Sequence, residues 1–181
     1  MKFEKLPGLP PYGPMAHTFG GPHHSEGLVV RFSSEAGEDW IGNFHGGYGR
    51  ADEILEHPDR RRVIVLSCGQ GYLVDPSAPE ETATFGWDIH EFLSLPEFDA
   101  ILFADDLGLE TINKQGLWWR TPRISWDGIR NLKVDGATLY GEAFTPVGEM
   151  WAPFSVDLRT GDCTDGVYEA DMRRAIPVRR P

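Results

Sequence analysis

The 181-residue chain carries 17 basic and 28 acidic residues for a net charge of −11, with 40% hydrophobic and 25% charged residues. That composition is globular rather than disordered, its acidity argues against non-specific nucleic-acid binding, and its two cysteines exclude a disulfide scaffold. Twenty-one Gly and fourteen Pro favour short elements joined by turns over a helical bundle, and no stretch approaches the ~20 apolar residues of a membrane span.

Residues 1–27 hold Pro7, Pro10, Pro11, Pro14 and Pro22 without helical or strand period, and read as an extended N-terminal arm. The start, MKFEKLPGLPPYGP, has no apolar h-region, so a cytoplasmic location without a secretory signal is expected. A single β-rich domain is expected over 28–171. Leu28–Phe32 and Trp40–Phe44 read as strands joined by the turn SSEAGED. Ala51–Glu56 reads as one or two helical turns closed by Pro58. Val63–Ser67 is β-branched and continuous, the pattern of a buried strand, and Gly71–Val74 returns antiparallel after the tight turn Cys68-Gly69-Gln70-Gly71. Thr82–Trp87 adds a strand. Asp88–Leu93 reads as a short helix, with Asp88 at its N-cap and Glu91 three residues on.

The second half reads as a meander: Ala100–Ala104, Leu107–Asn113, Leu117–Thr121, Ile129–Val134, Thr138–Phe144 and Trp151–Leu158. Asp135-Gly136 is a two-residue hairpin signal that favours a type I′ turn. The fold expected is mainly β, an antiparallel meander or sandwich of about ten short strands with one or two short helices. Its core centres on Val63, Val65, Ile101, Phe103, Leu132, Leu139 and Phe154. Residues 172–181, MRRAIPVRRP, form a basic C-terminal tail with four arginines and no acid. That leaves thirteen basic against twenty-eight acidic residues, −15, on residues 1–171.

VIVLSCGQGYLVDP and AILFADDLGLETIN echo each other, each with four apolar residues, a short turn and a second strand. At roughly 40 residues per blade the chain is short for a closed propeller, and the echo reads as recurrent hairpins. The stretch GLWWRTPRISWDGIRNLKVDGATLYGEAF, followed by PFSVDLRTG, resembles an uncharacterised family of bacterial β-rich proteins of unknown function, over roughly residues 98–162. The resemblance implies a bacterial cytoplasmic globular protein and adds no site residue.

Chemistry-bearing motifs are sparse. All six histidines lie in the first half, and a transition metal, if present, would draw on His17, His23, His24 and His45. The spacings HxH, HExxH and CxxC are missing, so no metal or other cofactor is expected. Cys68 follows a buried strand as a nucleophile would, but Leu66 and Gln70 stand where a nucleophile elbow needs glycine. Asp105-Asp106, with Glu110 and Asp127, has the residues of a cation site and equally those of a polar turn. The segment Gly42–Gly49, GNFHGGYG, lacks the ending of a phosphate loop.

The aromatics say more. Trp118 and Trp119 are consecutive in a strand, so they point to opposite faces and only one enters a single core. With Arg120 and Arg123 nearby, the segment offers residue types that concentrate binding energy at interfaces. The function expected is a non-enzymatic protein-binding module of the bacterial cytosol, a toxin-neutralising immunity protein acting on a basic partner, with no nucleic-acid or membrane partner. Trp118, Trp119, Arg120 and Arg123 are its candidate partner-binding residues. The alternatives are a metal-dependent hydrolase with a His/Asp site in the first half, and a carbohydrate binder using the Trp cluster.

Overall fold

The computed structural model describes residues 2–22, 25–33, 39–168 and 170–171. The basic tail 172–181, His23 and His24 lie outside the described residues. The fold is mainly β: among the described residues, sixteen strands form four four-stranded sheets. The first sheet has the order β1 (Lys2–Leu6), β3 (Leu28–Ser33), β4 (Trp40–Phe44), β2 (His17–Phe19). Its β2 runs parallel to β4, while the other pairings are antiparallel. The second is the meander β5 (Glu53–Glu56), β6 (Val63–Ser67), β7 (Gln70–Val74), β8 (Ala83–Phe85). The third is β9 (Glu91–Leu95), β10 (Ala100–Ala104), β11 (Leu109–Asn113), β12 (Gly116–Arg120), and the fourth is β13 (Ile129–Asp135), β14 (Thr138–Thr145), β15 (Met150–Asp157), β16 (Cys163–Thr164). The two sequence echoes are thus β6–β7 and β10–β11, the central hairpins of consecutive sheets.

The chain divides into two compact units, Met1–Glu91 and Phe92–Pro181. In the first, alternate residues of β3 (Leu28, Val30, Phe32) pack with Phe44 of β4 and with Val63, Val65, Tyr72 and Val74 of the second sheet. Full burial of each such side chain contributes roughly 1.5–3 kcal/mol. In the second unit, Leu102 and Ala104 of β10, Leu109 of β11 and Trp119 of β12 pack with Leu139 and Ala143 of β14 and Phe154 and Val156 of β15. Six of the seven expected core residues are buried; Leu132 is half-buried at the margin. The cause is a register shift between Arg130 and Lys133, with Asn131 at φ 56°, which turns this edge strand off a regular pleat.

Four local expectations are corrected. The segment expected as an extended arm without strand period supplies β1 and β2, and KFEKL pairs with β3 over five residues. The expected helical turns at Ala51–Glu56 are β5, and the expected helix at Asp88–Leu93 gives way to β9. In both places pairing with a neighbouring strand satisfies more backbone groups than one helical turn would. The hairpin after β13 turns on Gly136-Ala137, since Asp135 pairs with Thr138. Only Gly136 has positive φ, 56°, which is the arrangement of a type II′ turn.

Candidate functional site

In the first unit, three connections meet beyond the ends of β4, β6 and β8. Glycine makes that approach feasible. A Cβ on Gly47 would fall 2.1 Å from the Trp87 carbonyl oxygen, one on Gly49 2.1 Å from that of Ile89, and one on Gly69 2.4 Å from the Gly49 Cα. The run Gly46-Gly47-Tyr48-Gly49 thus serves close backbone contact. Backbone hydrogen bonds then join the three segments: Gly47 N–H to Ser67 O (3.1 Å), Tyr48 N–H to Trp87 O (3.1 Å), Ala51 N–H to Ile89 O (3.0 Å), Gly69 N–H to Ala51 O (2.8 Å) and Ile89 N–H to Gly69 O (3.0 Å).

Buried side chains brace the same segments. The Gln70 amide donates to the carbonyls of Phe85 (3.1 Å) and Gly86 (3.0 Å), directly before Trp87. The Tyr72 hydroxyl donates to the His45 carbonyl at 2.7 Å. Burial pushes the Tyr72 phenol above its ordinary pKa, so it stays a donor at neutral pH. Cys68 and Gly69 take φ 41° and 80°, as a two-residue hairpin with both positions left-handed requires, and the Cys68 thiol is exposed.

This framework holds two large side chains outward. Tyr48 is 77% and Trp87 57% exposed, and their rings meet at 5.3 Å with 56° between planes. A single exposed aromatic is ordinary; two in contact on a fixed framework form an apolar patch left open to solvent among the described residues. The flanking residues 48–53 and 86–91 carry Arg50 against Asp52, Glu53, Asp88 and Glu91; with Asp52 paired to Lys5 at 2.6 Å, three acids still stand against one base.

The partner-binding residues expected from the sequence lie in the second unit. Trp119 is in the core and donates its indole N–H to Leu158 O at 2.9 Å. Trp118 is half-buried beside Phe98, at 6.1 Å between rings. The guanidinium of Arg120 binds Glu110, whose hydrogen bond and charge raise the Arg120 pKa. Arg123 donates to the carbonyls of Ser125 (2.9 Å) and Trp126 (2.8 Å) and lies 4.2 Å over the Tyr168 ring and 5.6 Å from that of Trp126. Trp126 bonds Asp171 at 3.0 Å, and Arg130 stacks 4.0 Å over Trp151. Thus Arg123 joins Trp126 and Tyr168 rather than Trp118 and Trp119.

His17 stands edge-on to Trp40 at 5.3 Å, and the His45 ring fills the space beside Gly21. Neither belongs to a group of three converging metal-ligating side chains among the described residues. Sequence reasoning missed Tyr48 and Trp87. The available signal was two aromatics set in Gly-rich connections, outside any strand period that could bury them. No protein-family model matches the chain, and no curated protein is similar to it in sequence.

Proposed function

We propose that the protein is a non-enzymatic binding module of the bacterial cytosol that recognises a basic protein partner, in the manner of a toxin-neutralising immunity protein. The observation that carries this reading is the exposed Tyr48–Trp87 pair, fixed on three cross-bonded connections. Tyr and Trp supply large contact area with few rotatable bonds, and they dominate interface energetics. Preorganisation lowers the entropy lost on binding. The −15 carried by residues 1–171 supports a basic partner, since opposite charge speeds encounter and suppresses wrong partners. Trp118, Arg120 and Arg123, in the second unit, remain candidates for a contact of their own.

The test is affinity capture from a bacterial lysate at physiological salt, with wild type beside the double variant Tyr48→Ala/Trp87→Ala. The wild type should retain a basic protein that the double variant loses at unchanged melting temperature. Retention of the same protein by both, or of no basic protein by either, would overturn the reading.

A further inference from the structure

The two units each build one Tyr–Trp corner on the connections that follow the last strands of their sheets, with the two residue types exchanged. Tyr48 and Trp87 follow β4 and β8, the last strands in chain order of the first and second sheets. Trp126 and Tyr168 follow β12 and β16, the last strands of the third and fourth. In each unit a backbone hydrogen bond joins the two connections: Tyr48 N–H to Trp87 O at 3.1 Å, and Tyr168 N–H to Ile124 O at 3.0 Å. The ring geometries agree, at 5.3 Å and 56° in the first unit and 4.8 Å and 56° in the second.

The occupants differ. In the second unit the Arg123 guanidinium lies over both rings, tied by two backbone carbonyls. In the first unit, among the described residues, no cation lies over Tyr48 or Trp87. Aromatic faces carry negative potential that attracts a cation, and a planar guanidinium also stacks on them as an ammonium does not.

We propose that the Tyr48–Trp87 corner takes an arginine side chain from the partner, in the position that Arg123 fills in the second unit. The inference rests on the binding reading above and adds a residue type to it. Neighbouring acids suit the incoming charge: Asp88 directly follows Trp87 and Glu53 lies close after Tyr48, while Asp52 is already paired with Lys5 at 2.6 Å. The planar stack makes the site selective for guanidinium over ammonium, which distinguishes it from a general acidic surface.

The test is a titration of the full chain with hexa-arginine and hexa-lysine peptides by calorimetry, on wild type, Trp87→Ala, Tyr48→Ala and Trp87→Phe. Wild type should prefer hexa-arginine. Trp87→Ala and Tyr48→Ala should each weaken hexa-arginine binding about five- to thirtyfold, with little change for hexa-lysine. Trp87→Phe, which keeps a ring face, should restore most of the loss. Equal binding of both peptides, or hexa-arginine binding indifferent to both alanine variants, would overturn the proposal and leave only charge attraction. Failure here is separable from failure of the binding reading. A captured protein that depends on Tyr48 and Trp87 but is not displaced by hexa-arginine keeps the reading and removes the guanidinium. Arginine-selective binding without a captured protein does the reverse.

Discussion

The two units use their tryptophans differently. In the second, Trp119 is buried with its N–H bonded to Leu158 O, Trp126 bonds Asp171 beneath Arg123, and Trp151 lies under Arg130. In the first, Trp40 is likewise engaged, stacked on Phe32 at 4.3 Å and bonded to Pro76 O, whereas Trp87 is held outward on a framework that does not need its ring. A covered tryptophan with a bonded N–H contributes to folding. An uncovered one contributes little, so its place in the molecule calls for another account.

The largest effect separating the two cases is expected at Trp119. Its Trp119→Ala variant empties a core position against Gly161 and strands the Leu158 carbonyl, and it should lose about 3–5 kcal/mol. Urea unfolding followed by circular dichroism measures this. A loss under about 0.5 kcal/mol, as for an exposed site, would erase the distinction.

Next comes Gly47→Ala, which tests whether the first unit's corner depends on close backbone approach. The added methyl collides with the Trp87 carbonyl oxygen, so the Tyr48–Trp87 hydrogen bond must open. A destabilisation of about 1–3 kcal/mol is expected, together with loss of hexa-arginine preference. If the preference survives at full strength, the corner does not need its framework.

How far the sequence made this legible depends on pattern strength. The continuous β-branched run Val63–Ser67 and the apolar run Ala100–Ala104 name their own strands, and both are buried throughout. The segments β5 and β9 are too short for a period, so pairing rather than propensity decides them. Period 2 alone put Trp118 and Trp119 on opposite faces, but Trp118 packs at the margin of the core that holds Trp119, their rings 6.4 Å apart, beside a register shift between Thr111 and Ile112 that the sequence does not announce. Tyr48 and Trp87 stand 39 positions apart in connections, where no period operates, and only the strand topology brings them together. The pairing of Arg123 with Tyr168 was hidden for the same reason.

Mild acid offers a third way to sharpen the contrast, because all six histidines lie in residues 1–91. His57 is fully buried, and its Nδ1 accepts the Asp59 N–H at 3.1 Å. Burial, then the Arg62 charge, lowers its pKa below 6.5 against the opposing pull of Asp59. Burial pushes the Asp59 carboxyl up, but hydrogen bonds from the Arg62 and Arg61 amides and the Arg62 guanidinium outweigh it and hold Asp59 well below the carboxylate range. Above pH 6.5, His57 is neutral folded and unfolded, and its contribution is complete. Below 6.5 the unfolded chain binds a proton that the folded chain refuses, so stability falls until the lowered folded pKa is passed. Asp59 stays ionised across that window and adds no slope. Segment-resolved hydrogen exchange at pH 7.5 and 5.5 should show the first unit loosening more than the second, with the difference reduced in His57→Gln. Equal loosening of both units would contradict the assignment.

The smallest expected effect is also the most direct comparison. Trp87→Ala and Trp126→Ala remove the same side chain from matching corners. Trp126→Ala deletes the indole bond to Asp171 and uncovers the faces of Tyr168 and Arg123, so it should cost about 1–3 kcal/mol. Trp87→Ala removes a ring 57% open to water, with no hydrogen bond to its N–H among the described residues. What remains at its position is backbone: Tyr48 N–H still reaches the residue-87 carbonyl, and Gln70 still holds the chain at Phe85 and Gly86. None of these bonds needs the indole, so the change in unfolding free energy should stay within about 0.5 kcal/mol. Parallel chemical unfolding of the two variants settles the comparison. If Trp87→Ala costs as much as Trp126→Ala, the first corner is part of the fold, and its open rings have no claim to a partner's arginine.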